Sequence, residues 1–137
     1  MTIREATEAD IPHLLEMGRA FHEAACTPIP FCEETTRQFI DGLIRSPDCV
    51  VIMTDGGAIA GALAPAYCNT NWIMAVELAW WATDRRGLSL LGAFERWADM
   101  HGADEVRMTT LAAIEGPERI LQRRGYKTAE ISYQKVI

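Results

Sequence analysis

Between Trp72 and Ala82 the chain carries a single charge, Glu77, in a run otherwise made of apolar and aromatic side chains. A segment of that kind is stable only where most of it is shielded from water, and its aromatic and β-branched residues suit a pleated surface. It reads as the longest strand of a sheet. Period-two geometry puts Trp72, Met74, Val76, Leu78 and Trp80 on one face, and Ile73, Ala75, Glu77, Ala79 and Trp81 on the other. Glu77 then has two readings. It is either a structural charge, paired with an arginine or turned to solvent at a sheet edge, or a carboxylate with chemistry to perform. Ahead of this run, Cys49–Thr54 is short and β-branched and reads as a buried strand. Asp55-Gly56-Gly57 is a hairpin signal, since glycine accepts the positive φ of tight turns. The return strand runs from Ala58 to about Cys68, with a second turn at Asn69-Thr70-Asn71.

Helical signals surround this block. Residues 2–6 read as a short strand, and Thr7 with Asp10 resembles a capping box for a first helix over about 8–25. Pro12 is tolerated in its first turn, and Ile11, Leu14, Leu15, Phe21 and Ala25 form its apolar face. Thr27-Pro28-Ile29-Pro30 ends it. A second helix spans about Glu33 to Arg45, stopped by Ser46-Pro47-Asp48. After Thr83-Asp84-Arg85-Arg86-Gly87, the spacing of Leu90, Leu91, Phe94, Trp97, Ala98 and His101 predicts a third helix closed by Gly102. Glu105–Leu111 reads as a strand, Gly116-Pro117 opens a fourth helix that Gly125 ends, and Tyr126–Ile137 reads as a bent or split strand. The order β-α-α-β-β-β-α-β-α-β predicts one α/β domain over 1–137, with helices on both faces of a mixed sheet.

Composition narrows the function. The chain has 137 residues, 49% apolar and 23% charged, enough for one core and against disorder. No apolar run spans a bilayer or resembles a signal peptide, so a cytoplasmic protein without membrane contact is expected. The cysteines (Cys26, Cys32, Cys49, Cys68) form no C-x-x-C pair and no histidine lies two or three residues from one; His22 and Cys26 share a helical face at i, i+4, which a buried helix face explains, so no metal site is expected. A net charge of −6 argues against nucleic acid. Residues 1–84 carry 4 basic and 12 acidic side chains, residues 85–137 carry 9 and 7. An anionic ligand would therefore meet the second half, although Arg119, Arg123 and Arg124 can equally be solvated helix charges.

Several phrases, taken with this order, resemble the GNAT N-acetyltransferase superfamily. Ile3-Arg4-Glu5-Ala6-Thr7 with Asp10-Ile11 is similar to its opening strand and helix, and Asp55–Gly61 to its second and third strands. Glu77–Ala82, Arg86-Gly87 and Phe94–Ala98 look like a bacterial and phage-associated branch, and Arg124-Gly125-Tyr126 like the end of the last helix. The resemblance implies a mostly antiparallel sheet of six to seven strands, an acetyl-CoA co-substrate and the primary amine of a small molecule or peptide as acceptor. It implies that the cofactor meets Trp80, Trp81, Ala82, Arg85, Arg86, Gly87, Leu88, Ser89 and Leu90. Backbone N–H groups near Trp80–Ala82 would support the oxyanion. Glu77 matches a carboxylate base of several relatives, and shielding by Trp81 and Ile73 would raise its pKa.

Two features depart from the family pattern. Ser89 and Leu91 stand where its cofactor loop has glycines, as if about one helical turn were missing there. Leu121 stands where many members keep a tyrosine acid; Tyr126 and Tyr133 lie downstream, and Tyr133 is the candidate for that role. These departures keep open a second reading, a GNAT-folded module that binds acyl-CoA or a protein partner without turnover. An exposed strand edge also makes a homodimer an expectation.

Overall fold

A computed structural model describes residues 2–137. Its sheet has five strands in the order β1 (Arg4–Glu5), β2 (Cys49–Thr54), β3 (Gly57–Ala66), β4 (Asn69–Ala82) and β5 (Glu105–Arg107). Neighbours pair antiparallel except β4 with β5, which pair parallel. Helices α1 (Ile11–Ala25) and α2 (Glu33–Arg45) cover one face, and α3 (Gly87–Met100) the other. A short α4 (Pro117–Arg123) follows β5.

β2 explains why both faces are covered. Its side chains alternate between two cores: Val50 and Ile52 pack with Ile59, Ala75, Leu90, Phe94 and Trp97, whereas Val51 and Met53 pack with Leu14, Met17, Leu43 and Ala60. Phe94, Leu90 and Ile59 are fully buried, and each stabilises the fold by about 1.5–3 kcal/mol relative to an exposed side chain. Just before α1, the Thr7 N–H donates to Asp10 Oδ2 (2.8 Å) and Arg4 grips both Asp10 oxygens (2.7 and 2.8 Å). The arginine and the amide hold the Asp10 carboxyl well below the usual carboxylate range.

The structure differs from the sequence reading in four places. The sheet has five strands rather than six or seven, because residues 126–137 belong to no strand; β5 itself stops at Arg107 rather than Leu111. The second turn falls at Tyr67-Cys68, and Asn69 already pairs with Ala66. At the first hairpin the positive-φ region is not used: among the described residues the glycines with positive φ are Gly102, Gly116 and Gly125. Close approach is what excludes a side chain there, since a Cβ on Gly57 would lie 2.6 Å from Trp81 O. Finally, the register of β3 and β4 shifts between Ala60/Ala79 and Gly61/Glu77, so that Leu78 is an extra residue. This bulge reverses the alternation beyond it. Ala75 and Trp80 both pack toward α3, and Trp81 packs toward α1 and α2.

Candidate active site

The bulge coincides with a fork in the sheet. β4 and β5 pair over Met74–Val76 and Glu105–Arg107, then separate. The next residue of β4 is Glu77. Its Oε1 accepts the N–H of Thr109 (2.9 Å), so a side chain takes the donor that a continued ladder would have used. β5 ends at Arg107, short of the expected Leu111. Glu77 is 7% exposed and has no ion-pair partner among the described residues. Neither structural expectation, an arginine pair or a solvent-facing edge, describes it. Burial pushes its carboxyl up to about 7, against the opposing pull of the Thr109 N–H.

A cavity of about 140 Å³ opens at Glu77. Its walls come from α1 (Phe21), from β4 (Leu78, Trp80) and from the segment after β5 (Leu111, Ile114). Ile73 and Trp81, the expected shields, do not line it. Trp81 acts from behind, its ring stacked on Phe21 at 6.0 Å between centroids.

Above the fork, the Thr83 N–H donates to Gly56 O (2.9 Å), which fixes the phase of the β3–β4 ladder. Bonded and non-bonded pairs alternate along antiparallel strands. With Gly57 opposite Ala82 and Ile59 opposite Trp80, the N–H groups of Trp80 and Ala82 point away from β3, toward the side that β5 has left. The end of β4 is tied to the start of α3: Trp80 Nε1 donates to Gly87 O (3.0 Å), and Thr83–Arg86 alone connect the two. Asp84 Oδ1 accepts the Arg86 N–H (2.9 Å). Among the described residues no side chain caps α3. The N–H groups of Gly87, Leu88 and Ser89, which have no partner within a helix, thus remain for another acceptor. Leu88 and Ser89 are exposed, as is Arg85. Leu90 is different: its side chain is fully buried and its N–H is bonded to Arg86 O (2.9 Å).

The tyrosines lie elsewhere. Tyr126 Oη donates to Glu95 Oε2 (2.8 Å), and Arg124 pairs with Glu95 Oε1, so that α3 is clasped to the end of α4. Burial and the Glu95 charge raise the Tyr126 phenol well above its ordinary value. Tyr133 is 88% exposed and lines a broad cleft of about 2200 Å³ bounded by β5, α4 and residues 126–134. Thr109, Thr110, Leu111 and Ile114 line this cleft and the Glu77 cavity alike, so the two communicate. Leu121 is buried. Sequence reasoning missed Thr109, Phe21, Leu111 and Ile114. The tandem threonines inside the expected strand Glu105–Leu111 were the available signal for the first.

No family model and no curated protein matches this chain by sequence. Solved structures do match it. A probable acetyltransferase superposes with a TM-score of 0.80 at 16% identity, over 100% of this chain and 98% of that one. The ribosomal-protein-alanine N-acetyltransferase of Brucella melitensis biovar Abortus 2308 gives 0.72 at 11% identity, over 100% of both chains. The aminoglycoside 6'-N-acetyltransferase of Acinetobacter haemolyticus gives 0.74 at 14% identity, over 100% and 99%. The chain therefore has the fold of GNAT-like acetyltransferases, a mixed α/β architecture with a mostly antiparallel sheet.

Proposed function

We propose that this chain is an N-acetyltransferase that moves the acetyl group of acetyl-CoA to a primary amine of a small molecule or peptide by direct attack. The observation that carries this reading is Glu77: a buried carboxyl without a counter-ion, held near 7, where two parallel strands part. Acetyl-CoA would supply an activated thioester. The residues fit such a group at both ends. Where β4 and β5 part, the broad cleft lined by Val76 and Met108–Thr110 would take the thioester beside Glu77, and the uncapped first turn of α3 offers the amides of Gly87, Leu88 and Ser89 to a diphosphate, with Arg85, Arg86 and the Ser89 hydroxyl beside them. The loop between β4 and α3 is short in this reading, and the tie from Trp80 to Gly87 sets where those amides lie.

Glu77 takes the proton that an ammonium must lose before its nitrogen can attack. A base near 7 is matched to that task at neutral pH. The N–H groups of Trp80 and Ala82 donate to the oxygen that gains charge. Trp81 supports the wall through Phe21. Leu90 serves the core. A thiol is a good enough leaving group to take its proton from water, so Tyr133 has no part, and Tyr126 stays committed to Glu95.

The test is release of free thiol from acetyl-CoA with a panel of amines. Release should depend on the amine, and kcat/KM should rise with pH through about 7. Glu77→Gln should lower kcat/KM by roughly 10²–10⁴ while leaving the thermal shift with acetyl-CoA in place. A shift without turnover for any amine would select the non-catalytic module instead.

A further inference from the structure

The walls around Glu77 bear on what the acceptor is, given the transferase reading above. Among the described residues the cavity is lined by no charged side chain apart from Glu77, and its other polar side chains are those of Thr109 and Thr110. The Thr109 N–H is already spent on Glu77 Oε1. One carboxylate can neutralise one ammonium. A second ammonium, or a ring of hydroxyls, would lose its water here and find nothing to replace it. The acidic residues of α1 and the start of α2 do not alter this. Glu16, Glu23, Glu33 and Glu34 do not line the cavity, and Glu33 is paired with Arg19 (3.1 Å). The volume, about 140 Å³, is well below the ~300–1,000 Å³ of sites that enclose drug-sized ligands. The wall is also stiff, because Phe21 is backed by Trp81 and Trp80 is fixed by its bond to Gly87.

The geometry points to a small primary monoamine on an apolar alkyl or aromatic body as the acceptor, with its nitrogen against Glu77 and its body on Phe21, Trp80, Leu111 and Ile114. The acceptor reaches this place through the cleft that shares Thr109–Leu111 and Ile114 with the cavity. Extra polar groups held inside this volume, rather than length, disfavour polyamines and amino sugars; the carboxylates Glu105, Glu115 and Glu118 lie in the wider cleft outside it.

Butylamine and 1,4-diaminobutane test this directly, since they share a carbon chain and differ by one ammonium. With saturating acetyl-CoA, kcat/KM for butylamine should exceed that for the diamine at least tenfold, and benzylamine should rank with butylamine. Equal or reversed values overturn the inference while leaving the transferase reading intact. Leu111→Glu places a second carboxylate on the wall outside any helix or strand, and it should move the ratio at least tenfold toward the diamine; an unchanged ratio also overturns the inference. Should no amine be acetylated, the transferase reading falls by itself. Binding of the two amines, followed by tryptophan fluorescence, then decides the cavity's preference: tighter binding of butylamine upholds it, and equal or absent binding overturns it.

Discussion

Glu77 in the unfolded chain ionises near 4.5, and in the fold near 7. Between those values the folded state holds a proton that the unfolded state has lost, so stability falls as pH rises through this window and levels off above it. Glu77→Gln removes the titration and keeps an oxygen for the Thr109 N–H. It should therefore be more stable than the parent at pH 8, by roughly 1–3 kcal/mol, and show no such gain near pH 4. Urea titrations at the two pH values check this; a difference independent of pH would mean that Glu77 ionises as freely in the fold as outside it. Under the proposed mechanism the same substitution should lower catalysis, so that stability and activity would pull in opposite directions at one atom. That opposition is what separates a working carboxylate from a structural one.

The fork, the bulge and the start of α3 form one mechanical unit. Phe94 of α3 lies against β3 where the bulge begins: a Cβ on Gly61 would stand 2.3 Å from its ring and 2.9 Å from Val76 O. Val76 O is main chain one residue before Glu77 and cannot give way without moving it. Gly61→Ala should cost about 1–3 kcal/mol by overpacking, read as a lower urea midpoint. Trp80→Phe keeps most of the packing but loses the bond to Gly87 O. It should cost about 0.5–1.5 kcal/mol and weaken acetyl-CoA binding by loosening the first turn of α3. If affinity is unchanged while stability drops, the tie serves the fold alone. α4 is set by a different device. It ends with Gly125 at positive φ, and the Tyr126 N–H returns to Leu121 O (3.0 Å). This Schellman ending aims Tyr126 at Glu95.

Across the whole molecule, packing is uneven. β2 to β4 share two cores, and no helix among the described residues is long and apolar enough to cross a membrane. Residues 127–137 make no main-chain hydrogen bond to the rest among the described residues; Arg107 pairs with Glu130 (2.8 Å) at a largely exposed site. Ending the chain after Thr128 should therefore cost no more than about 1 kcal/mol, measured by urea unfolding. Acetyl-CoA at 100 times its dissociation constant should add about 2.7 kcal/mol to stability, visible as a rise in Tm.

The sequence by itself determined the elements whose signals are local. α2 is stopped by Ser46-Pro47, α3 follows the spacing of Leu90, Phe94 and Trp97, and the hairpin turns at Asp55-Gly56, each from a few adjacent residues. It also singled out Glu77, because one charge in an apolar strand stands out. Tertiary structure alone decided the bulge at Leu78, the early end of β5 and the walls of the cavity. Those depend on how strands distant in the chain register against each other, and period two cannot reveal where a neighbouring strand interrupts it. The Thr109 N–H meeting a carboxylate thirty-two residues away is a long-range contact, and only the folded chain brings the two together.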